Sequence, residues 1–457
     1  MSVIEFRNRL QAHKDAEAFW VEGHSVSFAE FLETSDQFGK ELERAGIPPF
    51  APALIEGNIN PESVALLWAC VERKLICIPH LETMAEGRLT KMSIAAPEWT
   101  LKASRGVDGR ASLSILRCPE AATRPEHYNE IARRGVTGLV LFTSGTTGVP
   151  KAAAHDFTLL LEKFLAGRRA MRTVAFLLFD HWGGLNTILY SLCSGGSLIC
   201  VDDRMPDAVA RVIEASKAEL LPVSPSFLNL FLAARTHQRF DLSCLRLVTY
   251  GAEPMPLGTL EALRQSLPDA RTKQTYGLIE LGVFSTKSRD EGSLFFKIDQ
   301  SHAKYRIVDG ILQIKTRAAM LGYLNAPSPF TEDGWYITGD EVEQDGEYIR
   351  VLGRKSDVIN VGGEKVHPSE VENTLLELED VVEARVWGED NFLLGKIVCA
   401  EVHLGASGRA EAPDAKVNAI KRHCAKRLQS FKVPVKVSLT DTPIIGDRLK
   451  KKRPNTS

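Results

Sequence analysis

Strand-like and helix-like segments alternate along most of this chain, and no segment of about 20–50 residues repeats. Residues 27–46 carry apolar side chains at helical spacing, and residues 61–70 read as a helix opened by proline. Short apolar, β-prone runs occupy residues 75–80, 138–143, 174–179, 197–201, 245–251 and 305–315. Such alternation predicts α/β layers in which helices cover sheets, and it excludes a solenoid.

Length and composition limit the class of protein further. The 457 residues are 44% hydrophobic and 25% charged with a net charge of −2, which suits two or three folded lobes and no nucleic-acid partner. No apolar run is long enough to span a bilayer, and no secretory leader is visible. The eight cysteines stand singly, outside any CxxC pair. We therefore expect reduced thiols and a cytoplasmic protein without a membrane partner.

Turns and hairpin signals become dense toward the end of the chain, after about residue 335. We predict a large α/β N-terminal domain of layered sheets and helices with several subdomains, residues 1–353, and a small α+β C-terminal domain, residues 354–457. Residues 104–135, rich in Gly, Pro and charge, are expected to wind over the surface.

The strongest chemical signal is the stretch Thr143-Ser144-Gly145-Thr146-Thr147-Gly148-Val149-Pro150-Lys151, which follows an apolar strand directly. Two glycines allow tight backbone turns, and the hydroxyls, the N–H groups and Lys151 supply donors to a polyphosphate. The stretch is not a P-loop, because its lysine follows a proline and no Ser or Thr comes next. It predicts a phosphate-binding loop.

This loop resembles that of the adenylate-forming superfamily, which comprises acyl- and aryl-CoA synthetases, peptide-synthetase adenylation domains and luciferases. Further motifs of that superfamily have counterparts here in the same order, over nearly the whole chain. They are Gly251-Ala252-Glu253-Pro254, Tyr276-Gly277-Leu278-Ile279-Glu280, Tyr336-Ile337-Thr338-Gly339-Asp340, Gly353-Arg354-Lys355-Ser356-Asp357 and a glycine loop at residues 360–372.

The resemblance implies a role for each matched residue. Glu280 and Thr146 would hold Mg²⁺, and Asp340 and Arg354 would bind the ribose. Ser356 would be the hinge about which the mobile C-terminal domain turns. Gly362, Gly363 and Glu364 would line the path of the thiol acceptor. The implied ATP-binding residues are Thr143, Ser144, Gly145, Thr146, Thr147, Gly148, Lys151, Gly251, Ala252, Glu253, Tyr276, Gly277, Asp340 and Arg354.

The sequence departs from the superfamily at two places. Ile279 replaces a threonine beside the nucleotide, and Asp447 stands where a catalytic lysine usually follows Gly446. A carboxylate there faces two anionic reactants, so we expect Lys450, one helical turn later, to supply the missing cation. The expected catalytic residues are Lys151, His181, Glu280 and Lys450.

The acyl pocket leaves two interpretations open around Phe179-Asp180-His181-Trp182. His181 resembles the histidine that CoA ligases carry near the substrate carboxylate. Asp180 instead resembles the aspartate that pairs with the amino group in amino-acid-activating domains. Trp182, Phe227 and Tyr250 are candidate walls for an aromatic substrate or, equally, core aromatics.

The resemblance implies an AMP-forming acid–thiol ligase. Using ATP and Mg²⁺, it would convert a small, preferably aryl, carboxylic acid into an acyl-adenylate and pyrophosphate. The acyl group would then pass to CoA or to the phosphopantetheine of an acyl carrier protein. The alternatives are transfer to an amine or other non-thiol acceptor, and a nucleotide-binding homologue without adenylation activity.

Overall fold

The computed structural model describes residues 2–82, 87–106, 108–119, 123–143, 149–405, 412–442 and 444. Within these residues the helices are α1 (Ser2–Ala12), α2 (Phe28–Arg44), α3 (Pro61–Glu72), α4 (Arg88–Ala95), α5 (Glu126–Arg134), α6 (Phe157–Glu162), α7 (Trp182–Cys193), α8 (Pro206–Ser216), α9 (Pro225–Ala233), α10 (Leu257–Ser266), α11 (Pro368–Leu375) and α12 (Pro413–Arg427). None of these helices combines the length and the apolar character that crossing a bilayer requires.

The strands of the same residues are β1 (Glu17–Val21), β2 (His24–Ser27), β3 (Pro52–Gly57), β4 (Ile76–Leu81), β5 (Trp99–Arg105), β6 (Ala111–Arg117), β7 (Gly138–Phe142), β8 (Ala152–Asp156), β9 (Arg172–Val174), β10 (Ser197–Ile199), β11 (Leu220–Val223), β12 (Leu247–Tyr250), β13 (Arg271–Gln274), β14 (Tyr276–Leu278), β15 (Gly282–Phe284), β16 (Thr286–Ser288), β17 (Phe296–Ile298), β18 (Ala303–Val308), β19 (Ile311–Thr316), β20 (Gly322–Tyr323), β21 (Tyr336–Asp345), β22 (Tyr348–Arg354), β23 (Ile359–Val361), β24 (Glu364–Val366), β25 (Val381–Asn391), β26 (Gly395–Leu404) and β27 (Lys436–Thr440).

Two seven-stranded sheets form the centre of the N-terminal part. One has the order β6-β5-β3-β4-β7-β8-β20 and the other the order β2-β1-β10-β9-β11-β12-β13. Strands β3, β4, β5 and β7 run parallel to one another in the first sheet, and β9 to β13 are parallel in the second. A continuous apolar core joins the sheets through α2, α3 and α7, with Phe31, Leu66 and Leu185 buried in it.

Helix α2 illustrates how local sequence sets these elements. Ser27 and Glu30 form a capping box at its start, which satisfies N–H groups that the first turn leaves unpaired. Phe28, Phe31 and Phe38 form its buried face. Past the end of the helix, Gly46 takes a left-handed conformation (φ +72°), the geometry that stops a helix there.

A six-stranded antiparallel sheet, β16-β17-β22-β21-β19-β18, completes the N-terminal part. After Arg354 a short turn, Lys355–Asp357, leads into a separate sheet, β24-β23-β26-β25, with β27 parallel to β26. Helices α11 and α12 cover a core of their own there, which includes Val371, Ala400 and Ile420. The predicted fold class is confirmed, and the boundary at residues 353 and 354 stays a prediction.

Residues 104–135, which we expect to wind over the surface, contain strand β6 and helix α5. Strand β6 lies at the sheet edge and has no buried side chain, so its polar composition resembles that of a loop. Helix α5 is anchored by only two fully buried side chains, Tyr128 and Ile131.

Candidate active site

The carboxyl ends of the parallel strands bring most of the predicted residues to one region. Thr143 directly follows β7, and Gly251 directly follows β12. Asp180 lies in the segment after β9, and Tyr276 lies two residues after the end of β13. In open parallel sheets, ligands bind in the crevice outside these ends. The two sheets therefore direct their ligand-binding edges toward a shared site.

The flanks of the phosphate loop are joined, although residues 144–148 lie outside the described part of the chain. The Thr143 N–H donates to the Lys151 carbonyl at 2.9 Å. Asn325 holds the later flank from outside, since its amide accepts from the Ala152 N–H and donates to the Pro150 carbonyl, each at 2.9 Å. The sequence analysis missed Asn325, which lies 173 residues from Ala152 along the chain.

Glu280, the predicted metal carboxylate, is buried with 7% of its surface exposed. The Tyr323 hydroxyl donates to its Oε1 atom at 2.5 Å, and burial beside this carboxylate raises the pKa of Tyr323. Lys151 lies over the same tyrosine ring, with Nζ 5.5 Å from the centroid. Strand β20, which carries Tyr323, thus brings the metal carboxylate and the loop lysine together.

The donor set fits a magnesium ion. Among the described residues no group of three or more His, Cys, Asp or Glu side chains forms a metal cage. Magnesium in nucleotide sites is held by one or two carboxylates together with substrate phosphates, and Glu280 supplies one such carboxylate. Thr146, the other predicted ligand, lies outside the described residues.

Asp340 forms the centre of a second buried polar group. Its Oδ1 lies 2.8 Å from Nε of Arg354, and its Oδ2 accepts from the Tyr276 hydroxyl at 2.6 Å. Asp340 and Arg354 are direct cross-strand partners on β21 and β22. Burial raises the pKa of Asp340, and the Arg354 charge opposes that shift. A fixed carboxylate can accept the two hydroxyls of a ribose diol, and this role of Asp340 stays a prediction.

Two glycines of the predicted nucleotide site are required by close approach. A Cβ atom on Gly251 would collide with the Thr275 hydroxyl, and one on Gly277 would lie 2.7 Å from the Gly282 carbonyl. Ala252 takes a left-handed conformation (φ +70°). Glu253 accepts a hydrogen bond from the Ser226 hydroxyl at 2.5 Å, which ties this turn to the start of α9.

His181 caps the start of α7. Its Nδ1 atom accepts from the Gly183 N–H at 3.1 Å. Because Nδ1 is the acceptor, the neutral ring carries its proton on Nε2. That N–H is a donor suited to an anionic oxygen, as the carboxylate interpretation of His181 requires.

Asp180 meets a lysine from its own chain. Its Oδ2 lies 3.0 Å from Nζ of Lys91, on α4, and both side chains are buried. The sequence analysis did not single out Lys91, which stands in an ordinary amphipathic helix. Whether Asp180 also meets a substrate amine stays a prediction.

The three predicted pocket aromatics lie in the interior. Trp182 stacks on His155 with ring centroids 6.3 Å apart, Phe227 packs on Phe176 at 4.4 Å, and Tyr250 belongs to the same core as Phe227. All three have at most 2% of their surface exposed. Their role as pocket walls stays a prediction.

The described site residues of the C-terminal domain lie at two turns, one before β23 and one between β23 and β24. Ser356 is exposed in the turn that precedes β23, where a hinge is expected. Gly362 and Gly363 take left-handed conformations (φ +60° and +93°), and Glu364 begins β24. Lys450 and Asp447 lie outside the described residues.

Comparison with known proteins agrees with this geometry. The profile of the AMP-binding enzyme family matches residues 6–310, and that of the AMP-binding enzyme C-terminal domain matches residues 370–446. An indoleacetate–CoA ligase of Aromatoleum aromaticum is 25% identical over 429 residues, 82% of this chain and 83% of that protein. A 2-succinylbenzoate–CoA ligase of a Geobacillus species is 27% identical over 460 residues, 91% and 89% of the two chains.

A solved structure has the same fold across both parts of the chain. The anthranilate CoA ligase AuaEII, in complex with anthranoyl-AMP, superposes with a TM-score of 0.82 at 18% identity, covering 98% of this chain and 95% of that one. The first of the two family profiles covers the phosphate loop and the buried Glu280. The protein belongs to the AMP-binding enzyme family, within the adenylate-forming superfamily of ATP-dependent carboxylate-activating ligases.

Proposed function

We propose that this enzyme joins an aromatic carboxylic acid to the thiol of CoA by way of an acyl-adenylate. The observation that supports the proposal most directly is that Lys151 and Glu280 contact the same side chain, Tyr323. This arrangement gives one site a cation for the departing pyrophosphate and a carboxylate for magnesium.

Both reactants of the first step are anions, so the site must neutralise charge and align them. Lys151 faces the departing pyrophosphate, and Asp340 holds the ribose in the orientation that Arg354 fixes. A magnesium ion held by Glu280 would spread the charge of the phosphates. The His181 Nε2–H orients the substrate carboxylate for attack on the α-phosphorus.

The names of several relatives support an aromatic acid and CoA. Three of these relatives are named as CoA ligases of indoleacetate, 2-succinylbenzoate and 2-hydroxy-7-methoxy-5-methyl-1-naphthoate. The exposed glycine turn at Gly362–Gly363 is our candidate for contact with the pantetheine arm. A carrier-protein phosphopantetheine presents the same arm, and it is the alternative acceptor. We further propose a cytoplasmic location, which suits eight single cysteines as reduced thiols.

The first prediction is acid-dependent exchange of labelled pyrophosphate into ATP, measured over a panel of aryl, amino-aryl and fatty acids. Addition of CoA should convert the adenylate into an acyl-CoA and AMP, detected by chromatography. Glu280→Gln should lower the exchange rate by ~10²–10³-fold, the scale for losing one group that stabilises transition-state charge.

Glu343→Gln, on an exposed position of β21, is the matched control and should exchange at the wild-type rate. Release of ADP and phosphate, or exchange without any acid, would contradict adenylation. An adenylate that reacts with amines and not with CoA would place the protein among enzymes with a non-thiol acceptor.

A further inference from the structure

A buried group of three polar side chains lies beside the N-terminus of α7 and includes Asp180, one of the two candidate anchors of the acyl pocket. The Lys91 ammonium lies 3.0 Å from Oδ2 of Asp180 and 3.4 Å from Nδ1 of His80. The exposed fractions of Lys91, Asp180 and His80 are 8%, 3% and 2%. Burial and the Lys91 charge lower the pKa of His80, so its neutral ring accepts from the ammonium. The group therefore contains one cation and one anion.

This group lies where the carboxyl edges of the two large sheets meet. His80 is near the end of β4, and Asp180 is in the segment that follows β9. The Lys91 ammonium is 5.5 Å from the centroid of the Phe142 ring, at the last position of β7 before the phosphate loop. Asp180 also directly precedes His181. The ion pair thus lies at the carboxyl ends of the strands, where open parallel sheets bind their ligands.

Asp180 faces a guanidinium as well as the Lys91 ammonium. Burial lowers the pKa of Arg204, and the charges of Asp202 and then Asp180 oppose that shift. The next pair outward, Arg88 with Glu56 at 2.5 Å, is neutral as a whole. A second cation beside Asp180 would meet Lys91 in a buried environment, where like charges repel strongly.

We propose that Lys91 is a specificity-determining residue. Its ammonium fills, from within the protein, the place at Asp180 that a cationic group of a substrate would otherwise take. The enzyme consequently selects acids that carry no ammonium group at that end of the pocket. This inference rests on the proposed function, and it names the substrate class for that same site.

The test compares two matched series of acids in the pyrophosphate exchange assay, the three ring isomers of methylbenzoate and of aminomethylbenzoate. Aminomethyl groups are protonated at neutral pH, so the members of each pair differ mainly by one positive charge. Wild-type protein should use every methyl acid better than its ammonium partner. Lys91→Ala should shift the ratio of kcat/KM for at least one isomer toward the ammonium acid on the order of 10²-fold, the scale of pairing a buried charge.

Lys91→Ala with Asp180→Asn is the matched control, because it removes the carboxylate that would attract the ammonium. It should lose the shift seen with Lys91→Ala alone. Equal use of the two series by wild type, or the same ratio in Lys91→Ala and the double variant, would overturn the inference. The wild-type comparison keeps the test decisive even where Lys91→Ala folds poorly.

A second measurement is independent of catalysis. Methylammonium chloride should raise the melting temperature of Lys91→Ala above the effect of tetramethylammonium chloride, and this difference should be absent in the double variant. No such difference would overturn the inference, whatever the enzyme activates. Absence of exchange with any acid, together with this thermal effect, would instead reject the proposed function and leave the pairing at Asp180 supported.

Discussion

At the scale of single residues, the Lys163 side chain places an amino group among aromatic rings. Its ammonium donates to Oδ1 of Asn186 at 2.8 Å and to the Val283 carbonyl at 2.9 Å, and it lies 5.4 Å from the Trp182 ring centroid. Burial lowers the pKa of Lys163 from its ordinary value of 10.5 to about 7, and the charge of Arg168 adds to the shift. A lysine that titrates near neutral pH makes stability depend on pH.

The sign of this dependence follows from proton binding. Above about pH 7 the unfolded chain holds a proton at Lys163 that the folded protein has lost, so the unfolding free energy rises with pH through this window. Lys163→Met removes the contribution. The difference in unfolding free energy between wild type and Lys163→Met, from urea titrations at about pH 7, 8 and 9, should therefore move in favour of wild type as pH rises. Exposed Lys304→Met is the control, and the same trend in that variant would contradict the assignment.

At the scale of elements, the short strand β20 connects parts of the site that are distant in sequence. Gly322 and Tyr323 pair with β8, directly after the phosphate loop. Just before the strand, the Met320 N–H donates to the Glu280 carbonyl at 2.8 Å, and just after it Asn325 holds the flank of the loop. The segment from Met320 to Asn325 therefore fixes the loop relative to the metal carboxylate.

Asn325 is a positioning residue in this segment, since it contacts the loop backbone and no reacting atom. Asn325→Ala removes two hydrogen bonds worth ~1 kcal/mol each, so kcat/KM for ATP should fall ~10-fold or more. KM for the acid should change little. Asn325→Asp, which keeps the acceptor for the Ala152 N–H, should recover part of the loss. Asn229→Ala, on α9, is the control, and an equal loss of kcat/KM in that variant would indicate a general structural effect.

At the scale of the whole molecule, the turn Lys355–Asp357 joins the two parts of the chain, and residues before and after it also contact each other. The Ser369 hydroxyl donates to the Leu352 carbonyl at 2.7 Å, and His367 lies 3.7 Å from Glu341. A short connecting turn of this kind suits a small domain that rotates between two half-reactions, as we predict for the hinge at Ser356. The sequence leaves two alternatives for the catalytic cation of that domain. Lys450 supplies it, or the domain has lost it, since Asp447 stands at the position of the family lysine.

We expect Lys450→Ala to cut adenylate formation by ~10²–10³-fold, because it removes the cation beside the α-phosphate. Thiol transfer from preformed acyl-adenylate should remain almost intact, which separates a catalytic role from a folding defect. Asp447→Lys should then change little. A harmless Lys450→Ala combined with faster adenylation by Asp447→Lys would show that Lys450 does not replace the family lysine.

The sequence by itself determined the family and the α/β class, and it predicted the positions that contact the nucleotide. These properties are local: the loop at 143–151, the glycines at 251 and 277 and the acids at 280 and 340 stand within short motifs whose order is visible along the chain. A close approach of the backbone can be inferred from the glycines of these motifs, because such an approach leaves no room for a side chain.

Only the tertiary structure decided which side chains support those motifs. Lys91 reaches Asp180 across 89 residues, Asn325 reaches Ala152 across 173, and Tyr323 reaches Glu280 across 43. Each stands in a stretch with ordinary helix, strand or loop composition, so no local pattern marks it. Burial gives the contacts at Asp180 and Glu280 their effect, because a charge removed from water must find its partner within the fold.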